Sequence, residues 1–203
     1  MGAREQMIDA AERIAVERGI GAMSLREVQA AAGQRNKSAA QYHFGSRDGL
    51  IEAVVAARMG PINERRAAMV ESALTPRDLV EALVVPLAEA TLRPGSCWAR
   101  FLFQGFADPA VSKAVRRRFE SRAYRDLRAR LAATLDHVPE PLRSTRLDHA
   151  DGVLVMSLAA AEAGRRTLDA GVLVANLVDT CTAILDAPAS SVTVTALRRT
   201  AAC

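Results

Sequence analysis

Apolar residues recur at spacings of three and four along nearly the whole chain, while the strict alternation expected of strands is scarce. Met7/Ile8, Ala11 and Ile14/Ala15 form one stripe and predict a first helix over about 4–18, stopped by Gly19-Ile20-Gly21. Ser24 follows as an N-cap with Glu27 at capping-box spacing, opening a short helix over about 25–31 that turns Leu25, Val28 and Ala32 inward. Gly33 then suits a left-handed turn. Asn36 predicts the cap of a third short helix, about 37–43, with Ala40 and Phe44 on one face. Gly45 ends it, and Ser46 caps a fourth helix with Asp48 in its first turn.

Proline punctuates the rest. Gly60-Pro61 predicts an interruption of the fourth helix, because proline lacks a donor and crowds the preceding turn. Thr75-Pro76-Arg77-Asp78 starts a fifth, in which Pro86 predicts a kink, and Pro94-Gly95 ends it. Ser96 caps a sixth, and Asp108-Pro109 opens a long seventh reaching about Leu135. The turn holding Pro139 and Pro141 leads to an eighth over about 142–166, and a ninth spans about 172–186 before Pro188. From Ala189 to Cys203 the helical period is lost, which predicts an unstructured tail. The expected fold is all-α with about nine helices. A helix-turn-helix domain occupies 1–50, a larger helical domain 51–188, and the tail 189–203.

Composition narrows the classes. The chain has 203 residues, half of them apolar and a quarter charged, enough to bury a core without staples. Three scattered cysteines (Cys97, Cys181, Cys203) and three histidines (His43, His137, His149) have no metal-ligand or disulfide spacing, so no metal and no cofactor is expected. The most apolar stretch, 152–164, contains Glu162 and is too short for a bilayer. With no apolar signal core near the start, a reducing cytoplasm is the expected compartment.

Charge is informative only by position. The net charge is +4, and all but two of the 27 basic residues are arginine. Residues 1–32 carry a net −1, residues 33–47 a net +3 with no acid, and residues 113–130 a net +6. The first basic patch coincides with the third helix, which presents Arg35, Asn36, Lys37, Ser38, Gln41, Tyr42 and His43. Such a helix suits the major groove, where Arg and Lys pair with guanine and Asn and Gln with adenine. Ser24, Tyr42 and His43 suit phosphate oxygens, as does Arg47 at a helix N-terminus.

Residues 4–58 resemble the DNA-binding domain of the tetracycline-repressor (TetR) family of bacterial regulators. The resemblance rests on Ser24-Leu25-Arg26-Glu27-Val28, on Ala32-Gly33, and on Tyr42-His43-Phe44-Gly45-Ser46-Arg47-Asp48-Gly49-Leu50. That last run is similar to the family's Tyr-His-Phe-x-Ser-Lys-x-x-Leu signature, with Arg for Lys. Two departures stand out: one extra residue between Gly33 and Tyr42, and Gln29 where a small residue is common. The resemblance implies that Ser24, Arg26, Arg35, Asn36, Lys37, Ser38, Gln41, Tyr42, His43 and Arg47 meet double-stranded DNA.

The remaining helices bear on the effector and the dimer. Trp98, Phe101, Leu102, Gly105 and Phe106 share one face of the sixth helix. Such a stripe packs a plain core as readily as it walls a pocket. The resemblance implies an effector site among helices four to eight, so Trp98, Phe101, Leu102, Phe106 and, on the seventh helix, Phe119 are its candidates. The eighth helix is apolar nearly all round, and the ninth carries two adjacent stripes, which calls for a covering partner. Val153, Met156, Leu173, Leu177, Cys181 and Ile184 are therefore expected at a homodimer interface. The arginine run of the seventh helix reads as a solvated face.

The function these features imply is a sequence-specific transcriptional regulator, a repressor released from a palindromic operator by an apolar small molecule. Two other readings remain: a non-specific DNA binder, and an all-helical enzyme with a trihelical start. No Ser-His-Asp, Cys-His, paired-carboxylate or phosphate-loop arrangement has the spacing an enzyme would need.

Overall fold

Capping and turn residues set most of the helix boundaries. The computed structural model of the protein describes residues 2–36, 38–108, 115, 121–165 and 168–200. Among these lie ten α-helices and no strand. They are α1 Ala3–Arg18, α2 Leu25–Ala31, α3 Ala39–Phe44, α4 Arg47–Ser72, α5 Pro76–Thr91, α6 Trp98–Ala107, α7 Arg122–Ala133, α8 Glu140–Ala160, α9 Ala170–Asp186 and α10 Ser191–Thr200. A 3-10 turn, Ile20–Ala22, joins α1 to α2, and a wider turn, Ala161–Arg165, follows α8. The Ser24 hydroxyl accepts from the Glu27 N–H at 3.2 Å, and the Ser46 hydroxyl from Gly49 at 3.0 Å. Thr75 and Asp78 exchange bonds in a complete capping box.

Three expectations change. The fourth helix runs unbroken through Gly60-Pro61. Pro61 and Ala57 are both exposed, so water can reach the carbonyl that loses its partner, while buried Met59 and Ile62 hold the helix to the core. The fifth runs through Pro86 to Thr91, as the expected end at Pro94-Gly95 implies. The seventh helix begins anew at Ser121, an extended N-cap accepting from the Tyr124 N–H, so the helix expected from Asp108 to Leu135 is not continuous. The tail holds α10, where the Ser190 hydroxyl accepts from Thr193 as a cap.

Two units share α1 and α4. In the head, α1 packs on α2, α3 and the start of α4. The bundle comprises α5 to α9 and the C-terminal part of α4. Along its length α4 passes from one to the other, and α1 also reaches across to α6. Among the described residues no single helix is long and apolar enough to cross a membrane, and no group of His, Cys, Asp and Glu could hold a metal.

Candidate nucleic-acid interface

The polar helix predicted from sequence is two-faced in the structure. Ala39, Ala40 and Phe44 of α3 are buried against the head, while Gln41, Tyr42 and His43 face solvent. Tyr42 is 85% exposed and meets His43 edge-on at 5.2 Å between ring centres. An aromatic left this bare on a polar face is available to a partner. Arg26, Arg35, Asn36 and Ser38 are exposed beside it. Lys37 lies outside the described residues.

The lengthened turn before α3 is held by glutamines. Gln34 donates from Nε2 to Gln6 Oε1 on α1 at 2.8 Å and to the Ala32 carbonyl at 3.2 Å. Gln29 accepts at Oε1 from the Ala40 N–H at 3.2 Å. It thereby caps α3 from α2, the work a local N-cap does elsewhere. Asn36 is not that cap: its Oδ1 accepts from Ser38 in a turn ahead of the helix, and α3 begins only at Ala39. Gln29 and Gln34 thus both hold the segment between α2 and α3.

Other predicted contacts have structural duties. Arg47 donates from Nε to the Met23 carbonyl at 3.0 Å and from Nη2 to the Ile20 carbonyl at 2.8 Å, so two of its donors hold the 3-10 turn rather than facing outward. The Ser24 hydroxyl is engaged with Glu27, and the Gln41 amide donates to the Gly45 carbonyl at 2.7 Å. Arg4, missed from sequence, lies over the Phe44 ring at 5.9 Å and adds an exposed cation beside α3. Gly49 is dictated by contact, because a Cβ there would sit 2.1 Å from the Phe44 carbonyl oxygen.

The head is tied to the bundle at few points. The Ile20 N–H donates to Gln104 Oε1 on α6 at 3.0 Å, while the Ile20 carbonyl accepts from Arg47. One turn is gripped from both sides. Arg58 on α4 pairs with Asp9 and Glu12 of α1 at 2.5 and 2.6 Å. Burial works to lower the Arg58 pKa, but the two carboxylates outweigh it and hold it above the usual range. Glu12 is raised, burial prevailing over its bond to Arg58.

In the bundle, the predicted effector wall is mostly core. Trp98, Phe101 and Leu102 are buried, the two rings stacked at 5.5 Å, and Phe106 is half-buried. The room left at Gly105 is filled by Val115, whose Cγ2 would be 2.9 Å from an added Cβ. Phe119 lies outside the described residues. In the sequence Glu162 reads only as a charge in an apolar stretch. Its carboxylate accepts from the Ala99 and Arg100 N–H groups, each at 3.0 Å, and from the Ser96 hydroxyl at 2.6 Å, capping α6 from beyond α8. An open cavity of about 470 Å³ lies between α5 and α9, lined by Val85, Ala88, Leu92, Val174 and Val178 with Arg77, Glu81 and Glu89 among its other residues.

The expected dimer residues divide. Leu177 and Cys181 are buried within the chain, the Cys181 thiol 3.8 Å from the Ala150 carbonyl of α8, so they are not available to a partner. The packing of α9 on α8 already consumes that stripe, which periodicity cannot distinguish from an intermolecular one. Val153, Leu173 and Ile184 are half-buried, and Met156 is 52% exposed.

Comparison with known proteins agrees with this architecture. Residues 7–54 match the model of the bacterial regulatory proteins of the tetR family. The HTH-type transcriptional regulator BetI of Rhizobium meliloti (strain 1021) is 31% identical over 81 residues, 40% of this chain and 39% of that protein. The match thus spans about two fifths of that relative's length. Thermus thermophilus FadR, a TetR family transcriptional repressor solved in complex with lauroyl-CoA, has a TM-score of 0.54 at 15% identity, over 93% of this chain and 97% of that one. Mycobacterium smegmatis AmtR gives 0.56 at 18% identity, over 94% and 89%. At these identities the likeness is one of fold.

Proposed function

We propose that this chain, whose residues 7–54 match the tetR family of bacterial regulatory proteins, is a ligand-responsive, DNA-binding transcriptional repressor of that family acting as a homodimer. The observation that carries the reading is α3 itself: its apolar side is buried in the head, and Tyr42 and His43 stand in solvent beside Arg35, Asn36 and Ser38. Arg35 and Asn36 in the turn before α3, and Gln41 on it, read base edges in the major groove. Tyr42, His43 and Arg26 hold phosphates, a contact that positions the head without selecting sequence. Arg47 serves as a positioning residue.

Twofold pairing through the exposed faces of α8 and α9, around Met156 and Val172, sets two heads about 34–36 Å apart, one turn of duplex. The operator is then palindromic. FadR's complex with lauroyl-CoA supports a bundle that receives a small molecule. Such a ligand acts on the head through α6, because Gln104 holds the Ile20 turn that Arg47 at the start of α4 also holds. It releases DNA only by as much as it prefers the displaced arrangement.

Selecting bound duplexes from a random library tests the reading. Recovery of a palindrome, bound at least about a thousandfold tighter than random duplex at physiological salt, is the expected result. Equal binding to random and selected duplex would instead identify a non-specific binder.

A further inference from the structure

Inside the bundle is a cation whose hydrogen bonding is unfinished. Arg66 on α4 is wholly buried. Its Nε donates to the Ala82 carbonyl of α5 at 3.3 Å, and its Nη1 to Asn63 Oδ1 at 2.6 Å. Its Nη2 has no partner among the described residues. The guanidinium lies over the Tyr124 ring of α7, 5.4 Å from its centre. A guanidinium offers five donors and cannot shed its charge at neutral pH, and folded interiors rarely leave such donors unmet. Burial lowers the Arg66 pKa to about 10, which still leaves it a cation.

Among the described residues no carboxylate lies in hydrogen-bond reach to complete it. Asp151 on α8 supports Arg66 only through the longer-range field. The Asp151 Oδ2 accepts from the Tyr124 hydroxyl and, at 2.6 Å, from Arg128 Nη1. Arg128 also pairs with Asp148 at 2.8 Å, so both acids are bound by the other arginine. The hydrogen-bond partners of Arg66 are neutral, an amide and a carbonyl. Within a turn of these contacts along α4, α5 and α7 stand Val70, Leu79 and Leu127, all buried and apolar.

We infer that Arg66 Nη2 receives an oxyanion, a carboxylate or phosphoryl group, at one end of an otherwise apolar molecule bound within the bundle. This rests on the ligand-responsive reading above and sharpens it: the effector is an amphipathic anion rather than a neutral apolar molecule. A planar fork with one arm engaged and the other open suits an oxyanion better than a hydroxyl, because a charge-assisted bond is the stronger.

Calorimetry on the full chain tests it, with decanoate and decyl phosphate against decanol, and phenylbutyrate against phenylbutanol. At least one anion is expected to bind about tenfold or more tighter than its alcohol. Arg66→Met should bring the pair to within about twofold, whereas Arg66→Lys keeps part of the preference. Should Arg66→Met fail to fold, NMR titration of carboxyl-labelled decanoate on the unaltered protein decides the matter. The bound carboxyl must stay ionised to a lower pH than the free one. A preferred carboxylate or a preferred phosphate identifies which oxyanion is taken. Anion and alcohol binding equally, no probe binding, or a preference that survives Arg66→Met would each overturn the inference. The operator selection needs no probe, so a recovered palindrome without anion preference refutes this site alone.

Discussion

In the head, α1, α2, α3 and the start of α4 enclose Met7, Ile8, Ile14, Val28 and Leu50, and Arg26 of α2 and Gln41, Tyr42 and His43 of α3 face outward. The bundle encloses Arg66, Tyr124, Asp151 and Glu162 together with its leucines. The head buries Glu12, which Arg58 binds, within a mostly apolar interior, and so leaves few buried polar groups to ask for an alternative partner. The buried charges of the bundle do ask for one, because each must be satisfied and a newcomer that satisfies one better shifts the balance. On the proposed function, the head is the fixed surface that meets DNA and the bundle is the part that responds to a ligand. Besides the continuous α4 and the packing of α1 on α6, they are joined by the Ile20 turn, held by Gln104 on one side and Arg47 on the other, and by the Arg58 bridge to Asp9 and Glu12.

The largest effect that would sharpen this contrast lies at Glu162. Glu162→Ala removes three hydrogen bonds from the α6 entry and leaves the Arg100 guanidinium, 3.8 Å away, without that carboxylate. Urea unfolding should show a loss of about 3 kcal/mol, in the range found when one partner of a buried charged network is deleted. Glu162→Gln, which keeps one accepting oxygen, should lose less than half as much. A near-neutral Glu162→Ala would mean that the polar interior of the bundle does not hold α6.

Within the head, Gly49→Ala is the corresponding probe. The added methyl meets a backbone oxygen, which cannot move aside as a flexible side chain would, so the corner between α3 and α4 must open. A cost of about 2 kcal/mol is expected, as for other overpacked sites. DNA binding should fall with it, while near-ultraviolet signals from Trp98 in the bundle stay unchanged. Loss of the tryptophan signal would show that the two units do not respond separately.

Much of this was legible from spacing. The stripes of α1 and α5, the caps at Ser24, Ser46 and Thr75, and the buried Phe44 beneath an exposed Tyr42 follow from local pattern alone. What escaped is what depends on another part of the chain. Glu162 caps a helix more than sixty residues before it, and nothing local marks that. Leu177 and Cys181 look like interface positions until α8 is seen to cover them. Arg66 had a signal: it follows Met59 and Ile62 and precedes Val70 at helical spacing, an arginine in an apolar stripe. Pro61 misled because the penalty for a mid-helix proline depends on whether the orphaned carbonyl meets water.

The smallest effect is the most specific to this chain. Gln29 supplies the only side-chain bond to the Ala40 N–H among the described residues, so Gln29→Ala should uncap α3 and cost about 1 kcal/mol, the usual worth of a cap. Because α3 carries exposed residues proposed to meet DNA, the same variant should bind a selected operator about fivefold more weakly. Gln29→Glu separates the two consequences. Its carboxylate still accepts from Ala40 and lies favourably at a helix N-terminus, so the urea midpoint should return, while the added negative charge near the duplex keeps affinity low. If Gln29→Ala instead unfolds and binds as the unaltered chain does, the lengthened turn is held by the Gln34–Gln6 bond alone.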